Sequence, residues 1–539
     1  MRFTYPGKRF WDTPAQRSVV MAPQGMAASS HPLATQAGVR ILQDGGNAVD
    51  AAVAMVAVLT VVEPYSVAMG GDAFALLALE GGRKVAGLNA SGRAPAAASI
   101  ESYRAQGHAT VPLTGAFSVT VPGALAGWAE ALERHGTMGL DTVLQPAITY
   151  AEKGFPVSPV IAGEWAQAEK LLSRDEAAAA TYLIDGKAPK AGQVFSNPDL
   201  ARTYRRIADQ GPELFYQGEL AEAVAACVQA GGGLMTPEDL AAHVNQWVEP
   251  VALDYRGHTL LELPPNGQGI TALEVLNILS GYDLAGLEPG GADYLHLLAE
   301  AIKIAFGDRD RYITDQIFSP VPVERLLSKD YGAACRQMIR PGQALEPGAA
   351  PPLNGDTVYL AVGDAQGNAA SFISSIFTAF GSGLVVPGTG VLLHCRGRSF
   401  SLDPAHANRL EGGKRPMHTI IPGMLMKDGL LTAAFGVMGG DMQPQGHAQF
   451  LVNLLDFGLD LQAAMDAPRL RYMGGMSMYL EEGISQTATD SMAAWGHSVD
   501  QGPYPVNEVG GGQVVWRDQE QGMWLGASDR RKDGCAMGY

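Results

Sequence analysis

Cysteine is scarce in this chain of 539 residues: there are four, with no Cys-x-x-Cys pair. Cys227, Cys335, Cys395 and Cys535 lie far apart, which excludes a disulfide scaffold and a thiolate metal knot; they read as reduced thiols of a cytoplasmic protein. Basic charge is short as well. Lys and Arg total 38 against 55 Asp and Glu, a formal charge of -17, and no basic arm is present. Such a field repels polyanions, so nucleic acid is not an expected partner. The most apolar run, Ala51 to Val62, is bounded by Asp50 and Glu63. It falls well short of the roughly 20 residues that a membrane span needs, so it reads as a core helix and no membrane association is expected. The stretch Met1 to Val20 carries charges but lacks the apolar centre of a secretion signal. Walker, H-E-x-x-H and G-x-S-x-G motifs are missing, and the eleven histidines have no metal-ligand spacing.

What is present is dense helical and strand patterning. His31 to Gln43 and Asn47 to Val62 read as helices broken by Asp44-Gly45-Gly46, with Asn47 as cap and His31 as a structural or capping residue. Strand-like runs follow at Ala73 to Leu79 and Lys84 to Asn89. Residues 120–340 look mostly helical, with a short strand at Leu260 to Leu263. From Pro341 to Gly355 the chain is rich in Pro and Gly and without periodicity, and it reads as a surface linker. Directly after it, Thr357 to Gly363 and Asn368 to Ile376 alternate around Asp364-Ala-Gln-Gly367, the pattern of a hairpin.

A threonine opening a strand is by itself an ordinary β-former. Its neighbours give Thr357 more weight. Ser374-Ser375, the glycine-rich run Phe380 to Gly390, and Gly439-Gly440 after the strand at Leu431 to Phe435 are all downstream. A hydroxyl nucleophile, a second hydroxyl and a Gly-Gly turn with free N–H groups are the parts of an acyl-transfer site.

With those residues in view, the chain resembles the γ-glutamyltransferase family of N-terminal-nucleophile hydrolases. The resemblance is carried by Asp44-Gly-Gly-Asn-Ala-Val-Asp-Ala-Ala52, Gly70-Gly-Asp-Ala-Phe74, Asp356-Thr357, Gly363-Asp-Ala-Gln-Gly-Asn368, Phe380 to Gly390, Met438-Gly439-Gly440 and Gly526-Ala-Ser-Asp529. It implies an α+β fold, a four-layer αββα sandwich. It also implies a precursor that cuts itself at Asp356–Thr357 into a large subunit, 1–356, and a small one, 357–539, interleaved in one domain. Thr357 would then be nucleophile and, through its new α-amine, general base. Ser375 matches a hydroxyl that contacts the nucleophile, and Gly439 and Gly440 match the oxyanion pair. No metal and no organic cofactor is expected, since the protein supplies every group. The implied partners are a small γ-glutamyl or acyl amide and the chain's own two subunits; a homo-oligomer is left open.

Departures from the family pattern fall on substrate recognition. In place of R-E-x-A-P stands Ser91-Gly92-Arg93-Ala94-Pro95, and in place of a Ser-Ser pair stands His418-Thr419. Arg93, shifted by two along an extended segment, keeps the same face and is a candidate carboxylate grip. An acidic pair is replaced by Arg398-Ser399, with Arg396 just before, and Phe377 replaces an Asn. Cations at Arg396 and Arg398 repel a substrate ammonium and suit a carboxylate. The short connection from Ser401 to Lys414 suggests a missing lid and an uncovered site open to water. The resemblance gives glutathione hydrolysis as the default activity. An acylase for glutaryl-type amides is the alternative towards which the arginines push. A third reading, an uncut and inactive binding protein, sits poorly with the retention of Thr357, Ser375, Gly439 and Gly440.

Overall fold

The computed structural model describes residues 17–346, 355–503 and 509–539. Residues 1–16 and the linker positions Pro351 to Asn354 lie outside the described residues. Helix α1, Pro32–Gln43, starts where His31 Nδ1 accepts the Leu33 amide at 3.2 Å. Helix α2, Ala48–Val62, starts at a reciprocal capping box in which Asn47 Oδ1 accepts from Asp50 N and Asp50 Oδ2 accepts from Asn47 N. Every residue of α2 is buried, as an all-round apolar sequence requires.

Two seven-stranded sheets carry the molecule. In chain order the strands are β1 (Val20–Ala22), β2 (Met26–Ser29), β3 (Asp72–Leu79), β4 (Lys84–Ala90), β5 (Gln246–Val248), β6 (Val251–Tyr255), β7 (His258–Glu262), β8 (Asp356–Gly363), β9 (Ala369–Phe377), β10 (Gly423–Lys427), β11 (Leu430–Met438), β12 (Gly511–Asp518), β13 (Met523–Ser528) and β14 (Cys535–Gly538). One sheet runs β14-β2-β8-β9-β3-β4-β5 and the other β1-β13-β12-β11-β10-β7-β6. Helices α1 and α2 cover the first. Helices α3 (Gly269–Leu279), α4 (Ala292–Tyr312) and α5 (Met442–Leu455) cover the second. Between the sheets, Met26, Phe74, Leu76, Leu263, Tyr359, Ile373, Met424, Leu431 and Trp524 form a separate buried cluster. The order helix, sheet, sheet, helix is the four-layer sandwich. The hairpin around 364–367 is β8–β9, and its β8 is central, paired on its other side to β2.

Two expectations need correction. The interval 120–340 is mostly helical but holds five strands among the described residues, of which sequence patterning indicated one: β5 pairs with β4, β6 with β7 and β7 with β10, while Phe155–Pro156 pairs with Val194–Phe195. The linker reading also fails at its start. Residues 340–345 are clamped by a wholly buried cluster on α4: His296 Nε2 donates to Arg340 O (2.8 Å), Glu300 Oε2 accepts from Leu345 N (2.8 Å), and Lys303 Nζ donates to Leu345 O (3.0 Å). Lys303 and Glu300 pair at 2.8 Å with neither side chain exposed, and His497 Nδ1 accepts from the same ammonium at 3.4 Å.

Removing one partner of such a pair strands the other charge in the interior. Lys303→Met is expected to lower unfolding free energy by about 3–5 kcal/mol in denaturant titration, and Glu300→Leu with Lys303→Met to regain most of it.

Candidate active site

Thr357 sits at an irregularity in β8–β9. Asp356 pairs with Phe377 and Val358 with Ser374, so Ser375 and Ile376 together face the single residue Thr357. A bulge of this kind re-aims side chains. Here it turns Ser375 Oγ onto both sides of the 356–357 peptide. It accepts from Thr357 Oγ1 at 3.2 Å and donates to the Asp356 carbonyl at 2.8 Å. The Phe377 amide, in a residue held at φ 82°, also donates to Ser375 Oγ, at 2.9 Å. Thr357 is 1% exposed and Ser375 0%.

Gly439 and Gly440 end β11 with φ of 123° and 59°, conformations that glycine adopts without strain. Gly440 adjoins Gly355, the residue before the 356–357 peptide. A Cβ on Gly355 would lie 2.8 Å from Phe377 O and 3.2 Å from Gly440 Cα, so the chain enters the site between them. The short connection 401–414 packs down, with Phe400, Leu402 and Leu410 in one buried cluster with Ala94, Ala98, Ile100 and Tyr103.

Arg396 lies directly behind Ser375. Its Nη2 donates to Ser375 Oγ at 3.3 Å and its Nη1 to Thr419 Oγ1 at 2.8 Å, while the guanidinium stacks 4.3 Å from the centre of the Phe377 ring. The side chain is fully buried, Nε has no hydrogen-bond partner, and no carboxylate forms a salt bridge with it among the described residues. Burial pulls its pKa down to about 10, still charged at neutral pH. A buried cation held only by hydroxyls and a ring is a costly arrangement that an anion would relieve.

His418 takes a different part from the one read in the sequence. Its Nε2 donates to Asp72 Oδ2 at 3.0 Å and its Nδ1 accepts from the Ile420 amide at 3.3 Å. Burial, then the nearby Arg396, push it down to about 3, so the ring is neutral. Asp72 is also held by the amides of Gly92 (3.0 Å) and Gly123 (3.2 Å). Burial alone would raise its carboxyl, but the imidazoles of His394 and His418 outweigh that and hold it well below the usual range. Arg93 is likewise occupied: it donates to Gly413 O at 2.8 Å and faces Asp315 at 3.5 Å. Arg398 is half-buried on the turn after Arg396 and makes no hydrogen bond to the Thr357 cluster among the described residues.

Two glutamines escaped the sequence reading. Gln443, in the first turn of α5, donates to Thr357 Oγ1 at 3.4 Å and accepts from Ile421 N at 2.9 Å. Gln268, capping α3, donates to the carbonyls of Thr419 (2.8 Å) and Gly440 (3.1 Å). The only signal for Gln443 was its place three residues after Gly440, at a helix start. Away from this site, His296, Glu300 and His497 bring ligand atoms within 4.8 Å of one another. The ammonium of Lys303 already occupies the place of a cation there.

Comparison with known proteins identifies the family. The family model described as Gamma-glutamyltranspeptidase matches residues 34–539. The chain is similar to the Glutathione hydrolase-like YwrD proenzyme of Bacillus subtilis (strain 168), 38% identical over 96% of this chain and 99% of that protein. It is also similar to the Acylase ACY 1 proenzyme of Pseudomonas sp. (strain SE83), 36% identical over 100% and 97%. Among solved structures, cephalosporin acylase from Bacillus halodurans superposes with a TM-score of 0.93 at 43% identity, over 100% of this chain and 99% of that one.

The neutral His418 yields a direct expectation. In selectively labelled protein its ring nitrogens should show the Nε2-H form unchanged from about pH 8 to about pH 5. A midpoint near the ordinary histidine value would contradict the Asp72–His418 geometry.

Proposed function

This chain belongs to the gamma-glutamyltranspeptidase family and is an enzyme with hydrolase activity; from that premise we propose that it cuts itself before Thr357 and then hydrolyses amides whose acyl part carries a carboxylate. Thr357 Oγ1 is the nucleophile in both reactions. Self-cleavage frees its α-amine, which with a pKa of about 7.7–8.0 is a base close to working pH. Attack on the substrate amide gives an acyl-enzyme at Thr357, with the N–H groups of Gly439 and Gly440 as donors to the tetrahedral oxygen. Gln443 and Ser375 hold Oγ1 from two sides. Water then releases the acid.

The buried, unpaired Arg396 supports the carboxylate. A γ-glutamyl donor would bring an α-ammonium towards the same guanidinium. Asp72, the carboxylate on β3 whose charge reaches Arg396, is already spent on His418 and two amides. Of the activities named in the relatives, acylase suits this chemistry better than glutathione hydrolase.

The expected result is at least about tenfold faster hydrolysis of a glutaryl anilide than of the γ-glutamyl anilide, which differs only by the α-amino group. Faster γ-glutamyl turnover would return the reading to glutathione hydrolysis. Denaturing electrophoresis of the 56.7 kDa chain should show fragments of about 37 and about 19 kDa, the smaller beginning at Thr357. Thr357→Ala should leave one band and lower turnover by about four orders of magnitude.

A further inference from the structure

The geometry points to Arg396 as a positioning residue for self-cleavage, acting through Ser375 on the carbonyl of Asp356 before any substrate is bound. The inference rests on the self-cleavage reading above but not on the identity of the acyl donor. In the uncut chain, Arg396 Nη2, the Phe377 amide and Thr357 Oγ1 all point donors at Ser375 Oγ, at 3.3, 2.9 and 3.2 Å. With that oxygen surrounded by donors, its own proton has one place to go, the Asp356 carbonyl oxygen at 2.8 Å. A cationic donor on a hydroxyl oxygen draws electron density from its O–H and makes it a stronger donor in turn. The carbonyl so polarised is the one that Thr357 Oγ1 must attack.

The same contacts give a balanced step. As Thr357 Oγ1 bonds to the Asp356 carbonyl carbon, its proton passes to Ser375 Oγ and the Ser375 proton passes to the former carbonyl oxygen. When the C–N bond then breaks, that proton goes to the Thr357 nitrogen, leaving an ester and a free amine. Water hydrolyses the ester to the Asp356 carboxylate and the Thr357 hydroxyl. Arg396 stays charged throughout and neither gives nor takes a proton. Its orientation is fixed by Thr419 Oγ1 at 2.8 Å and by the Phe377 ring below it. This accounts for a guanidinium buried beside a nucleophile in a chain that has not yet met substrate.

The test is the rate of self-cleavage of pulse-labelled full-length chain, followed by denaturing electrophoresis without substrate. Arg396→Met is expected to slow cleavage by about a hundredfold, with Arg396→Lys intermediate. If Arg396 acts only through Ser375, then Arg396→Met in a Ser375→Ala background adds little to the loss that Ser375→Ala causes alone, a coupling that general destabilisation would not produce. Arg396→Gln, closer in size and hydrogen bonding, serves where Arg396→Met does not fold, as judged by near-ultraviolet circular dichroism. Cleavage of Arg396→Met at the parent rate, or the same fold loss in both backgrounds, would overturn the inference. Failure of the parent chain to cut itself would instead remove the self-cleavage reading. Failure to hydrolyse the glutaryl anilide would remove only the acyl-donor reading.

Discussion

One mismatch in strand register governs the centre of this molecule. Because Ser375 and Ile376 share the space opposite Thr357, the hydroxyl of Ser375 meets both the threonine oxygen and the carbonyl that precedes it. In an unbroken ladder, alternation would carry side chains to opposite faces, and no single residue of β9 would reach both groups. The rest follows from holding that irregularity still. β2 and β3 flank the hairpin, α2 packs on one face, and the inter-sheet cluster around Tyr359 and Ile373 fills the other.

Among the polar groups behind the hairpin, several charges are paired, while Arg396 has no carboxylate partner among the described residues. Asp72 is surrounded by amides and His418, Arg93 faces Asp315, and Arg309 pairs with Asp441 at 2.8 Å. Gln268 joins this shell to the glycine turn through Gly440 O. Arg396 stands apart, with hydroxyls and an aromatic ring for company. A buried cation placed beside Ser375 with no carboxylate partner among the described residues is the kind of perturbed group that functional sites collect.

Much of this was legible in the residues. The caps at His31 and Asn47 fixed two helix starts, because capping is a local contact that sequence spacing records directly. The β8–β9 hairpin was readable from alternation around Asp364 to Gly367. Thr357, Ser375, Gly439 and Gly440 were singled out, and the fold brings the first two into contact and Gly440 beside Gly355. What stayed hidden depends on distance along the chain. Pro341 to Leu345 read as linker because its anchors, His296, Glu300 and Lys303, sit on a helix some forty residues earlier. Arg93 read as a free carboxylate grip because Asp315 is remote in sequence. Gln443 and Gln268 carry no charge and no motif, and only tertiary placement gives them partners.

The interleaving of the sheets bears on the life of the molecule once it is cut. Strand β8 lies between β2 and β9, and β14, from the far end of the chain, closes the sheet beside β2. A break at 356–357 would leave each piece with strands whose hydrogen-bonding neighbours belong to the other. Neither piece would own a complete sheet, and reassembly after denaturation would become a bimolecular encounter between two chains with exposed strand edges. The molecule would fold once, as a single chain. After that its persistence would be set by how slowly it opens, since the route by which it formed would no longer exist.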